Sequence, residues 1–184
     1  MIRINFILCL FIIIPIWLIS RRKRFVQRRK RFNPYREFLV NILFIYFLWV
    51  AYLTLSPFYF TIPILGGRNF YFDTKLFYNL RHMARGYLRL QLLYSVGNIA
   101  MFIPFGILIP LIYKKARRFY IIVFLSFMFS LTIELTQVLF TVFRSGTVDD
   151  LFFNTLGGVI GYIGYIIIKK LSKRIKVLGK FLIP

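Results

Sequence analysis

Five of the 184 residues are acidic, and three of these, Glu134, Asp149 and Asp150, fall close together near the C-terminal end. Around them stand the other side chains best suited to chemistry: Gln137 one helical turn after Glu134, then Arg144, then Asn154. A positioned carboxylate serves as acid or base, and a guanidinium beside it holds phosphate. Thr147-Val148-Asp149-Asp150 precedes an apolar run and has the form of a capping box. Capping accounts for Asp149 and Asp150, but not for Glu134, which interrupts an apolar run. Asp150 and Asn154 are four apart and share a helix face. Asn98, shortly before Pro104, is expected at the same level as Gln137 and Asp150. Pro104 itself withdraws a hydrogen bond from the Ala100 carbonyl. The candidate polar cluster is therefore Glu134, Gln137, Arg144, Asp149, Asp150, Asn154 and Asn98. His82 has no second ligand at metal spacing and Cys9 is the only cysteine, so neither a metal, a cofactor nor a disulfide is expected.

The elements that position this cluster are set by composition. The chain is 59% hydrophobic and 20% aromatic, with only 17% charged residues. Its apolar runs approach the ~20 residues that cross a ~30 Å hydrocarbon core. They are continuous rather than alternating, so the fold class is an all-α integral membrane helical bundle. About five transmembrane helices are predicted, over 4–20, 38–56, 94–113 and 119–143, and from the 144–148 turn to about 168. Glu134 then lies about 4.5 Å from the midplane of its helix at 1.5 Å per residue. A charge there costs on the order of 2–3 kcal/mol even on the mildest scale, so it should face the bundle with a partner or be protonated. Gly157, Gly161 and Gly164 offer the last helix a small-residue face for close packing.

The formal charge of +21 is carried in short clusters between apolar runs. Clusters so placed orient a membrane protein and contact anionic lipid, and nucleic-acid binding is not expected. With the N-terminus outside and the C-terminus cytoplasmic, 19 of the 26 basic residues lie inside. The first apolar run is followed, not preceded, by positive charge, so it reads as an uncleaved helix and not a signal peptide. From about Thr74, apolar residues recur at helical spacing while Arg81, Arg85 and Arg89 form a second stripe. That pattern predicts an interfacial amphipathic helix with Asp73 as its N-cap.

Several stretches together resemble the VanZ-like family of small bacterial membrane proteins. They are Gly97-Asn98-Ile99, Phe102-Ile103-Pro104-Phe105-Gly106, Ile133-Glu134-Leu135-Thr136-Gln137, and Arg144 through Asp150 on to Asn154-Thr155-Leu156-Gly157-Gly158 and Gly161-Tyr162. Tyr52 to Pro57 is similar to an earlier helix-ending segment of that family. The resemblance covers about residues 40–168 and leaves the N-terminal helix outside. The chain divides accordingly into an N-terminal helix and cytoplasmic polybasic segment (1–37), a VanZ-like membrane domain (38–168) and a basic cytoplasmic tail (169–184). The resemblance implies a multi-pass protein of a bacterial plasma membrane. It further implies reduced susceptibility to teicoplanin-type lipoglycopeptides, through a change in the cell envelope made by an outward-facing polar cluster. The partner it implies is a lipid-linked envelope precursor or the lipoglycopeptide. Two alternatives compete: an intramembrane enzyme acting on a lipid or lipid-linked phosphate, and a small proton-coupled transporter using Glu134.

Overall fold

A computed structural model describes residues 2–3, 5–27, 33–56, 59–60, 72–77, 88–141, 146–175 and 179–182. Five long helices make up the fold: α1 (Phe6–Gln27), α2 (Pro34–Leu55), α3 (Leu88–Ile112), α4 (Phe119–Phe140) and α5 (Val148–Leu171). A short 3₁₀ turn, Lys114–Arg117, joins α3 to α4. Among the described residues four helical stretches are long and apolar enough to cross a membrane: α2, residues 92–112 of α3, α4 and α5. They run 21 to 24 residues, or roughly 32–36 Å at 1.5 Å per residue, which matches the hydrocarbon thickness. The protein is a multi-pass membrane helical bundle.

Local sequence sets the helix ends. Asn33 caps α2, its side chain accepting from the amides of Tyr35 (3.0 Å) and Arg36 (3.1 Å). Pro34 then occupies the first turn, where its missing N–H costs nothing. Thr147 caps α5 through Asp150 N–H at 3.2 Å. Helix α3 continues through both Pro104 and Pro110 and starts at Leu88, a turn and a half before the expected residue 94. Helix α1 extends past residue 20 through the whole cluster Arg21-Arg22-Lys23-Arg24, because long basic side chains are good helix formers when solvated.

The expected amphipathic helix does not begin at Thr74. The Asp73 carboxylate accepts from Lys75 N–H at 3.0 Å in a local turn, and Phe77 takes a positive φ of 57°. Residues 72–73 pair in parallel with 146–147, which draws this segment onto the start of α5. The remainder of the expected helix, residues 78–87 with Arg81, His82 and Arg85, lies outside the described residues.

Helix α3 is central. Phe102 and Phe105 pack with Phe129 of α4 and Phe47 of α2, and Tyr46 of α2 donates to the Met101 carbonyl at 3.0 Å. Helices α3 and α5 meet backbone to backbone. A Cβ at Gly157 would stand 2.2 Å from Ile99 O, and one at Gly161 would stand 2.2 Å from Ile103 O. Only glycine permits that approach.

Helix α1 is attached differently. None of its residues is buried. It runs antiparallel to α2, with Phe6 near Tyr52 and Arg21 paired with Glu37 through two hydrogen bonds. Trp17 stacks on Phe44 at 4.1 Å and donates to Asn41 Oδ1 at 3.0 Å.

Basic groups collect at one end of the bundle. The Arg21–Glu37 pair brings the 21–24 cluster to the start of α2. The tail returns there too, with Phe181 against Tyr35 and Lys180 over the Tyr35 ring at 5.6 Å. The 3₁₀ turn, at the start of α4, belongs to the same end, because α2 runs the same way as α4 and has its C-terminal Thr54 beside Gln137 at the far end of α4.

Candidate functional site

At the opposite end, four helices converge on one polar cavity of about 210 Å³. Its polar lining is Glu134 and Gln137 from α4, Asp150 and Asn154 from α5, Asn98 and Tyr94 from α3, and Thr54 from α2. Five of the seven expected cluster residues are therefore brought together. Glu134 and Asn154 are each 2% exposed and Asp150 is 5% exposed, so the cavity holds groups that require partners.

The partners are found across the helix contacts. Asp150 accepts from Asn98 Nδ2 at 2.6 Å on one oxygen and from Tyr94 OH at 2.8 Å on the other. Gln137 Nε2 donates to the Thr54 carbonyl at 2.7 Å, which Thr54's place near the end of α2 leaves accessible. Asn154 Nδ2 donates to Ser130 Oγ at 2.9 Å. Asn154 Oδ1 is buried and has no hydrogen-bond partner among the described residues.

Glu134 takes a role that sequence spacing assigns to another residue. In a reciprocal capping box the Asp150 side chain would accept from Thr147 N–H. Here Thr147 N–H donates instead to Glu134 Oε2 at 3.0 Å. The box is half formed: Thr147 caps α5, while Asp150 is released to face α3. A mid-helix glutamate on α4 thus holds the start of α5, tying the two arms of the hairpin and leaving both carboxylates on the cavity.

Asp149 does not join the cluster. Its Oδ1 accepts from Phe77 N–H at 2.7 Å, so adjacent acids on one helical turn point to different partners. The contact holds the 72–77 segment over the start of α5, where Phe77 also packs on Phe152 and Phe153. Arg144 lies outside the described residues. The lining residues that spacing did not single out are Tyr94 and Thr54. Tyr94 stands one turn before Asn98 on the same face, and that i, i+4 relation was the available signal. Among the described residues no group of three or more His, Cys, Asp or Glu side chains could hold a metal ion.

The sequence model of the VanZ/LLP1 family matches residues 6–169. The chain belongs to the VanZ/LLP1 family. That match takes in α1 as well as the bundle, so the helix held by Arg21–Glu37 and Trp17–Asn41 is part of what this VanZ/LLP1 protein shares with the family. No curated protein and no solved structure matches the chain.

Proposed function

We propose that this VanZ/LLP1 protein lowers susceptibility to teicoplanin-type lipoglycopeptides by engaging an envelope ligand in the cavity between α2, α3, α4 and α5. The observation that carries this reading is the convergence of Glu134, Asp150 and Asn154, all nearly fully buried, on one cavity. Buried ionisable groups within membrane helices are costly and are retained where they bind or react.

The basic end of the bundle supports the orientation. With the clusters at 21–24 and 114–118 and the tail in the cytoplasm, the N-terminus and the cavity face outward, toward lipid-linked precursors and the drug. Anionic lipid of the inner leaflet is the partner of the basic end. In the alternative reading, an enzyme acting on a lipid or lipid-linked phosphate, the phosphate-binding residue is Arg144, which lies outside the described residues.

The test is deletion and complementation in the native host, with susceptibility to teicoplanin and vancomycin compared. Deletion is expected to raise teicoplanin sensitivity selectively. Wild type restores resistance, and Glu134→Gln, expressed at equal level, does not. Unchanged susceptibility on deletion removes the resistance reading, and full rescue by Glu134→Gln removes the cavity from it.

A further inference from the structure

Away from the polar cavity, α4 and α5 form an apolar groove on the membrane side of the bundle. Its volume is about 410 Å³, and it is lined by Phe119, Tyr120, Val123, Phe124 and Phe127 of α4 with Thr155 of α5. The four rings are exposed, and the Thr155 hydroxyl donates to the Leu151 carbonyl at 2.7 Å. Val123 stands between Phe119 and Phe127 at four-residue spacing, so the row dips where its side chain is smallest. From Phe119 to Phe127 the groove runs about 12 Å at 1.5 Å per residue, from the basic end toward mid-depth. One leaflet of a ~30 Å hydrocarbon core is about 15 Å deep.

The mouth of the groove is basic and held in place. Arg118 Nη1 donates to Tyr120 OH at 2.7 Å, which sets an exposed guanidinium at its start. Phe119 packs on Tyr162 at 5.8 Å, and Tyr162 OH donates to the Arg117 carbonyl at 2.7 Å, so α5 braces the same spot. Lys114 and Lys115 are exposed on the turn just before it. The chain has five acidic side chains. Glu37 is paired with Arg21, and Asp73, Glu134, Asp149 and Asp150 lie at the opposite end. None stands in the first turn of α4. No carboxylate side chain of the chain is therefore placed to neutralise Arg118, Lys114 and Lys115.

We propose that this groove holds one anionic phospholipid, with its phosphate on Arg118 in the field of Lys114 and Lys115 and one acyl chain along the row from Phe119 to Phe127. The proposal rests on the reading that the basic end meets anionic lipid, and turns a diffuse attraction into a site. A guanidinium offers phosphate a pair of N–H donors. The apolar wall beyond it suits a hydrocarbon chain and leaves a soluble anion nothing to bind. A second transmembrane helix is a poorer occupant: helices approach closely through small residues, whereas this stripe is Phe, Tyr, Val, Phe and Phe.

The experiment follows the unfolding midpoint of the purified full chain in a non-ionic detergent at constant ionic strength. Phosphatidylglycerol, phosphatidylcholine with the same chains, and glycerol phosphate are added in turn. Phosphatidylglycerol is expected to raise the midpoint by several degrees. Phosphatidylcholine should need about tenfold more lipid for the same shift, and glycerol phosphate, which has no chain, should leave the midpoint unmoved. Arg118→Gln should lower the preference for phosphatidylglycerol about fivefold, the worth of one basic side chain near an anionic surface. Val123→Trp fills the groove and should weaken the response to both lipids, whereas Ile45→Trp, on the exposed face of α2, should not. Phosphatidylglycerol with a photoreactive group on its chain then locates the site. Label is expected on residues 119–127 in preference to α2 around Ile45. This labelling uses the wild type, so a misfolded variant does not rescue or sink the site.

Label spread evenly over α2 and α4 overturns the groove site, as does a phosphatidylglycerol preference that both Arg118→Gln and Val123→Trp retain. In either case the general attraction of the basic end for anionic lipid stands. An equal response to phosphatidylglycerol and phosphatidylcholine overturns both. If Val123→Trp converts a dimer to a monomer and leaves the lipid response unchanged, the groove belongs to a second copy and the lipid proposal falls.

Discussion

The two ends of this bundle handle charge in opposite ways. At the basic end, Lys114, Lys115 and Arg118 are exposed, and the Arg21–Glu37 pair is only partly covered. These groups keep their hydration, so few of them need a defined neighbour. At the other end Glu134, Asp150, Asn154 and Gln137 are buried, and each bonds across to another element. One end orients the chain, and the other specifies how its helices meet. Charge in solvent tolerates approximate placement, whereas charge in a low-dielectric interior depends on partners set to within a fraction of an ångström.

The comparison is broken most severely at the crossing that brings α3 to α5. Gly157→Val places carbon against the Ile99 carbonyl, and a contact of 2.2 Å cannot be relieved by a side-chain rotation. We expect a loss of about 3 kcal/mol or more, at the upper end of overpacking costs. The check is a collapse of folded yield and of the unfolding midpoint in detergent.

Next in size is Glu134→Ala. It leaves Thr147 N–H without its acceptor at the start of α5, at a cost of about 1–3 kcal/mol. Glu134→Gln retains a carbonyl acceptor and should cost about 1 kcal/mol or less. A thermal melt of the two variants side by side separates the structural duty of Glu134 from its functional one, because with Gln only drug resistance should fall.

A smaller effect is expected where α1 leans on α2. Trp17→Phe retains much of the stack on Phe44 but loses the bond to Asn41 Oδ1, for about 1 kcal/mol. Disulfide trapping between cysteines placed at Phe6 and Tyr52 should report a looser α1 with the bundle intact. Smallest of all is Lys114→Gln combined with Lys115→Gln, expected within about 0.5 kcal/mol on the same melt because both side chains are exposed. A large destabilisation there would mean that the basic end is as tightly specified as the acidic one.

Much of the acidic end was legible beforehand. Glu134 stood out because an acid within an apolar run needs a bundle-facing site, and Gln137, Asp150, Asn154 and Asn98 followed from helical spacing and hairpin geometry. Asp149 was misplaced for a physical reason. It neighbours Asp150 on the first turn of α5, and its partner is an amide, that of Phe77, brought in by a distant segment. The Asp73 turn was missed similarly: an aspartate before a polar residue caps a helix or closes a local turn equally well, and the pairing of residues 72–73 with 146–147 selects the turn. The extra residues at the ends of α1 and α3 were lost because helices outrun their apolar stretches when the flanking side chains stay solvated.

Sequence alone determined that this is an α-helical membrane protein, which helices carry polar groups, and where the basic clusters fall. Those properties follow from hydropathy, periodicity and charge order, each of which is local. Only the tertiary structure decided that Glu134, not Asp150, accepts from Thr147, that Asp150 turns to Asn98 and Tyr94, and that Asn154 Oδ1 is buried without a partner among the described residues. The reason is geometric. A helix dictates which side chains share a face, but the partner on the far side of that face depends on how closely glycines let the next backbone approach.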